Sequence, residues 1–583
     1  MNARPGFLLL LAASCTAPAV SEDVPDPAPE PATEDRPEVA WTLELSRSPS
    51  LEVHFRLRAP SDPDGRTTFL LDESWGGVAD ASDAILDVAV SGPDGRPLAV
   101  ERDAPNRWSV AAPPGTDLEA AWRVVPNGFQ ADPNPRVHYR TLLDEDLFHA
   151  IGHLSLLVPD HLQGSARRRI ALRWKGFAEA GWNVASSLGP SPAGFVGEAS
   201  LDEVRHAVYL AGPDLRVPEV EVRGRPVQVA IAGTAWTFKD EEFVEAVRAI
   251  VEAERAFFED FDFPFYLVSL IPVGRPDPQS RSLGGTGLTR SFALFMQPDT
   301  ALGKEAGGGL SVPHLLAHEM FHHWNGGVAS LESPEELLYW FSEGFTDFYA
   351  RRLLHRAGFG GIDEVARSLN ECLKSYALSP VREAPASRIR EDFWKDPDVG
   401  RLPYLRGDLV AALLDGEIRR ASGGARSLDD FVREVVAAGR AGALVGTESI
   451  LARIASWTSP DVAARVRSIV VDGAPIVLDE ETFAPCLEIA SASLGAYELG
   501  FDLEASRAAK EIRSVLPGSA AERAGLQDGQ KLARLRVAFG DPDQEVEIGV
   551  RDGEEEKTLR WLPQGPPVPV QRVRAVGADC AWL

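Results

Sequence analysis

The chain has 583 residues, 44% hydrophobic and 25% charged, which is globular material for two to four domains. Its formal charge of −28 excludes a nucleic-acid partner, because phosphate binding needs local positive charge and no basic stripe is present. No apolar run reaches the roughly 18 residues of a membrane span.

The chain opens with MNARPGFLLLLAASC, a single Arg and a short apolar run leading to Cys15. This stretch, 1–15, resembles a bacterial lipoprotein signal, in which the cysteine becomes the lipidated mature N-terminus. It predicts export to the cell envelope or periplasm, with the lipid as the only membrane contact. Residues 16–39 are rich in Pro, Glu and Asp, cannot bury a core, and read as a disordered tether. As extended chain, roughly 23 such residues reach about 70 Å. If Cys15 carries lipid, Cys372, Cys486 and Cys580 remain. Cys486 and Cys580 bracket the last domain, so either a disulfide closes it or all three stay buried thiols.

Residues 40–232 are mostly of period two. Leu51, Val53, Phe55 and Leu57 share one face, as do Ile170, Leu172 and Trp174, with Pro/Gly/Asp turns between runs. The pattern predicts antiparallel, sandwich-like β-structure. From 233 to 475 the period changes. Phe243, Val247, Ile250, Val251, Phe257 and Phe258 form a helical stripe behind an Asp240 cap. A buried strand (263–271), a Gly-rich loop, a short strand around SFALFM and a run of helices follow. A last block, 485–570, returns to short strands with one small helix. The whole is a multidomain α+β chain.

HLLAHEMFHHWN, residues 314–325, holds four of the eleven histidines. Ser311 and Pro313 suit a helix start, and Asn325-Gly326 suits its end. His318 and His322 then lie one turn apart on one face with Glu319 between them, close enough to share one zinc ion. His314 extends the row but sits about 12 Å from His322 along the axis, too far to join. His314 and His323 read as solvent or packing residues. The third ligand is predicted from EELLYWFSEGFTDFYARRLL. There Glu343 stands among Leu337, Trp340, Phe341, Phe345 and Phe348, and an acid on an aromatic face is costly unless paired or metal-bound. Asp347, a turn further on, can accept the outer N–H of a ligating histidine.

HEMFHHWN followed by WFSEGFTDFYA resembles the glycyl aminopeptidase family of zinc metallopeptidases, which have HExxH and a downstream Glu ligand. The resemblance implies an N-terminal β-domain, a mostly helical catalytic domain with a small sheet, and a C-terminal PDZ domain. It implies one Zn2+ on His318, His322 and Glu343 with a fourth position left for water. Glu319 would take the proton from that water and pass it to the leaving amine. RLPYLRGD resembles the PYxKG segment of related enzymes, which makes Tyr404 the candidate oxyanion donor, with Arg406 in place of lysine. The family's GGLEH-like stretch reads GGTGLTR here, so Gly287 stands where an acid would clamp the substrate's α-ammonium, and Leu288 replaces the histidine. A Gly284-Gly285 turn with the following strand would still pair with an extended peptide by edge addition.

YELGFDLE and PGSAAERAGLQDGQ resemble a PDZ domain, with Leu499, Gly500 and Phe501 as the loop that receives a peptide C-terminus. The first reading is therefore an envelope-anchored zinc peptidase, aminopeptidase-like, acting on short peptides with small N-terminal residues. An endopeptidase of the same fold, and a weakly catalytic PDZ peptide-binder with structural zinc, are the alternatives.

Overall fold

The computed structural model describes residues 37–583 except 79–80, 129–131, 133–134, 277–281, 304–310, 553–554, 578–579 and 581–583. The signal segment, Cys15 and nearly all of the tether lie outside the described residues. The described residues form two compact units, one comprising 37–359 together with Arg426–Arg453, the other Gly360–Ala425 together with 454–580.

In the first unit the period-two segments become a seven-stranded sheet and two four-stranded sheets. Trp41, Leu43, Val53, Phe55 and Leu57 are fully buried on the inner face, where Phe55 stacks on Trp122 at 5.2 Å between centroids. They share one core with Phe69, Trp108, Phe148 and Tyr209 from the smaller sheets. The expectation of purely antiparallel pairing needs correction. Val39–Ser46 runs parallel to Arg168–Lys175, with Trp41 opposite Leu172. Strands far apart in sequence can pair in either sense, which local periodicity does not encode.

A five-stranded sheet follows. Its strands are β1 (Glu219–Val222), β2 (Arg225–Ile231), β3 (Tyr266–Pro272), β4 (Leu283–Leu288) and β5 (Ser291–Met296), in the order β1-β2-β3-β5-β4. Residues 219–231 thus pair with the catalytic-side strands, although periodicity groups them with the N-terminal domain. Helix α1 (Asp240–Phe257) is the crossover that lets β2 and β3 run parallel. It buries Phe243, Val247, Ile250, Val251 and Phe257 as its stripe requires. Asp240 is its first residue rather than its cap, and takes the guanidinium of Arg216 at 2.5 and 3.0 Å. The expected Gly-Gly turn is instead part of edge strand β4, with Gly284 opposite Phe295 and Gly285 opposite Leu294. A Cβ on Gly285 would meet the Phe292 ring at 2.3 Å, so any side chain there requires the ring to shift.

Helices α2 (Val312–Phe321) and α3 (Tyr339–Arg356) pack on α1, and α2 also packs on β4. Leu428–Arg440 returns to this unit, where Asp429 accepts from Arg352 (2.9 Å), Arg356 (2.7 Å) and Tyr349 (3.2 Å), pinning the end of α3.

The second unit holds α4 (Ile362–Leu378), α5 (Pro397–Ala421) and the C-terminal module. The module has long strands as well as short ones. Strand β6 (Leu487–Tyr497) pairs with β10 (Gln564–Ala575), while β7 (Lys531–Arg536), β8 (Val546–Asp552) and β9 (Glu555–Trp561) form a second sheet. It carries two short helices, Leu503–Ala509 and Ala520–Arg523, rather than one. Cys486 and Cys580 are disulfide-bonded and Cys372 is a buried thiol. The Asn370 amide of α4 mimics a strand neighbour of β10, exchanging two hydrogen bonds with the Val573 backbone (2.9 and 2.8 Å). Among the described residues no helix is long and apolar enough to cross a membrane.

Candidate metal centre

Helix α2 starts where Ser311 Oγ accepts the His314 amide at 3.3 Å, and Pro313 needs no donor partner in the first turn. It ends sooner than Asn325-Gly326 suggested. Phe321 is its last residue, and His322 caps it in helical conformation (φ −61°, ψ −18°). The chain turns away through Gly326 (φ +115°), and a Cβ on Gly327 would strike the His323 carbonyl at 2.3 Å. The turn delivers Asn325 to α3. Its side chain donates to Phe341 O, Ser342 O and Thr346 Oγ1, each at 3.1 Å. Trp324 donates to Asp260 at 2.8 Å and stacks on Phe258 at 4.4 Å.

These two helices bring His318, His322 and Glu343 together. The imidazole Nε2 atoms are 3.1 Å apart, and Glu343 Oε2 lies 3.4 Å from His318 Nε2 and 3.3 Å from His322 Nε2. A tetrahedral ion with bonds of about 2.0–2.1 Å places its ligand atoms about 3.3 Å apart, so the triangle has the right edge. The hydrogen bonds around it decide the donor set. His318 Nδ1 is 2.8 Å from Asp347 Oδ1, and His322 Nδ1 is 3.1 Å from the Asn325 carbonyl. Both acceptors require a proton on Nδ1, so in the neutral rings each Nε2 presents a lone pair inward. Glu343 is 1% exposed, and neither of its oxygens accepts an aligned hydrogen bond. Three buried acceptors facing one another call for a cation or for extra protons. Accordingly, burial opposes the charged imidazoles but their carboxylate neighbours prevail, raising both pKa values. Burial likewise opposes the Glu343 carboxylate, yet His322 and His318 bring it down to about 2. The residues fit a metal ion.

Glu319 is 2% exposed beside this triangle. Burial raises its pKa above the ordinary carboxylate value, the Glu343 charge adding to the rise, while His318, His322 and a hydrogen bond from the Gly287 backbone oppose it. Gly287 therefore serves the centre through its amide. A Cβ there would meet only the Glu319 carbonyl at 3.5 Å, so the position is open, not crowded. In the same strand the Gly285 carbonyl accepts from Tyr139 Oη at 2.9 Å, which ties β4 to the N-terminal domain.

Other residues are placed less simply. His323 packs edge-on against Trp324, and burial, with Arg255 and Arg440, lowers its pKa to about 4. His314 is buried beside the His318 ring, and its Nε2 also lies 3.2 Å from Asp347 Oδ1. Sequence spacing showed that His314 is too far to ligate with His322, but not which α3 side chain would face it. Nothing in the sequence pattern marks Glu254 of α1. It is fully buried, neither oxygen accepts a hydrogen bond, and His318 lies within its electrostatic reach. Tyr404 is buried in α5 of the other unit. Nearby Arg406 donates to the Arg382 and Ala384 carbonyls at 3.0 and 2.7 Å, a structural use of that charge. In the C-terminal module Gly500 has φ +85° and its carbonyl accepts the Leu516 amide. The chain after Phe501 is the helix Leu503–Ala509, N-capped by Asp502, where a peptide-receiving strand would be needed.

Residues 311–389 match the model of the M61 glycyl aminopeptidase family. No curated protein matches the chain. Among solved structures it is similar to an aminopeptidase N family protein from Idiomarina loihiensis, at 17% identity and TM-score 0.60, covering 91% of this chain and 97% of that one. It is also similar to an M1 zinc metallopeptidase from Deinococcus radiodurans, at 17% identity and TM-score 0.44, covering 76% of this chain and 94% of that one. The first likeness establishes the fold. With the family match falling on the segment that carries two imidazoles, a carboxylate and a buried acid beside them, the chain is a zinc metallopeptidase.

Proposed function

We propose that His318, His322 and Glu343 hold one Zn2+ and that the chain hydrolyses short peptides, as an aminopeptidase-like enzyme favouring small N-terminal residues. The observation that carries this reading is the buried Glu319 carboxyl beside three convergent acceptors, since a purely structural site has no use for it. Zinc there supplies a Lewis acid toward water and the scissile carbonyl.

The chain's own residues do the rest. Glu319 accepts the proton of the attacking water and returns it to the leaving amine, its raised pKa making it the stronger base for the first transfer. The Gly287 amide holds that carboxylate in place, and Asp347 and the Asn325 carbonyl fix the tautomers of the two ligating rings. Tyr404 is assigned as oxyanion donor from its resemblance to the family segment. Edge strand β4, with Gly284 and Gly285, is assigned to pairing with the peptide backbone.

One observation favours a second reading. Gly287 offers no carboxylate to a substrate α-ammonium, so an endopeptidase of the same fold stands beside the aminopeptidase. Glycyl and alanyl p-nitroanilides set against N-blocked peptides, with wild type and Glu319→Gln, separate the two. Hydrolysis of free-amine substrates that is lost with Glu319→Gln or a chelator supports the first reading. Cleavage of blocked peptides alone supports the second, and equal, metal-independent turnover by both proteins refutes both.

The C-terminal module is proposed as PDZ-like, with Leu499, Gly500 and Phe501 as its loop. Because the helix Leu503–Ala509 follows that loop where a peptide-receiving strand would be needed, we assign the module to packing in preference to capture of a peptide C-terminus. Export with a lipid anchor on Cys15 is proposed from the N-terminal sequence, and the Cys486–Cys580 disulfide suits an oxidising compartment.

A further inference from the structure

We infer that His314 is a positioning residue for the metal centre, clamping Asp347 to the outer nitrogen of His318. The inference rests on the zinc-centre reading above and extends it by one residue. His314, His318 and His322 follow one another at four-residue spacing, so α2 and its C-cap present three imidazoles in a row. Helix α3 answers with two carboxylates a turn apart, Glu343 toward His318 Nε2 and Asp347 toward His318 Nδ1.

One oxygen, Asp347 Oδ1, lies 2.8 Å from His318 Nδ1 and 3.2 Å from His314 Nε2. Asp347 is the most exposed member of the group, with 21% of its side chain accessible against 10% for His314 and none for His318. Water therefore competes for this carboxylate from one side, and a second donor on the same oxygen holds it toward His318. If Asp347 swings away, His318 is free to exchange tautomers, and the proton can move to the nitrogen that must face the metal.

The competing occupant is a second cation, because one ligand atom each from His314, His318 and Asp347 lies within 4.8 Å of the others. Such a cation would displace the His318 Nδ1 proton that Asp347 accepts. The expected stoichiometry is one zinc per chain.

The test compares wild type, His314→Gln, His314→Phe, Asp347→Asn and the His314→Phe/Asp347→Asn double variant. Readouts are zinc affinity by chelator competition, zinc stoichiometry and melting of the zinc-free protein. Glutamine keeps a donor near the Nε2 position, whereas phenylalanine keeps only bulk. His314→Phe should bind zinc about tenfold more weakly, His314→Gln should stay within about threefold of wild type, and the double variant should lose no more than Asp347→Asn alone. Wild-type affinity in His314→Phe, equal losses in Phe and Gln, additive losses in the double variant, or two zinc ions per chain would each overturn the inference. Because affinity is read without turnover, a failure of the peptidase reading leaves this result separately interpretable.

Discussion

At the scale of single residues, two buried acids with raised pKa values call for opposite tests. Glu319 must be a carboxylate to accept a proton, and burial holds its pKa above the ordinary carboxylate value. Activity should therefore fall on acidification, and kcat/KM measured against pH should show an acid limb. Glu319→Gln should lower kcat by about 10³-fold while leaving zinc affinity within a small factor. Glu254 has no such task, and burial raises its pKa well above 4.5. A group whose folded pKa exceeds its unfolded value contributes its stability below the unfolded pKa and loses it as pH rises through the folded one. Glu254→Gln should thus raise the melting temperature more at about pH 8 than at about pH 4, and an equal shift at both would contradict this. The HExxH spacing and Glu343 were readable because both follow from helix period and the cost of a lone buried acid. The His314–Asp347 contact and Glu254 were not, since each depends on how one helix is rotated against another.

At the scale of elements, strand β4 shows where sequence patterning fails and why. Two adjacent glycines and a third after Thr286 read as a loop, because glycine is depleted from strands. Here the missing side chains admit neighbours: the Phe292 ring fills the space beside Gly285, while the space beside Gly287 stays open. The two positions should differ sharply. Gly285→Ala brings a methyl to 2.3 Å from Phe292 and should cost about 1–3 kcal/mol in denaturant unfolding. Gly287→Ala, with its nearest neighbour at 3.5 Å, should fold with near-wild-type stability. Helix α1 and the strands around Phe55 and Leu172 were legible because one buried face forces a clean period. The early end of α2 was not, since it follows from the tertiary ties of Asn325 rather than from its own turn propensity.

At the scale of the whole molecule, the switch from period two to helical period and back marked the main regions, but not the division into units. Arg426–Arg453 belongs with the N-terminal unit although the segments on either side belong to the other. Only tertiary contacts such as those of Asp429 with α3 reveal that return. The Cys486–Cys580 disulfide joins residues 94 apart in the second unit. Its removal by Cys486→Ser/Cys580→Ser should lower that unit's stability to denaturant by about 2–4 kcal/mol while zinc affinity is kept. A loss of zinc affinity on the same scale would contradict the separation of the two. The most direct measurement of the central proposition is a crystallographic anomalous difference map at the zinc edge, on protein loaded with one equivalent of metal. It should show one peak about 2.0–2.2 Å from His318 Nε2, His322 Nε2 and a Glu343 oxygen, with Asp347 on His318 Nδ1. A peak elsewhere, or Glu343 turned away from the ion, would contradict it.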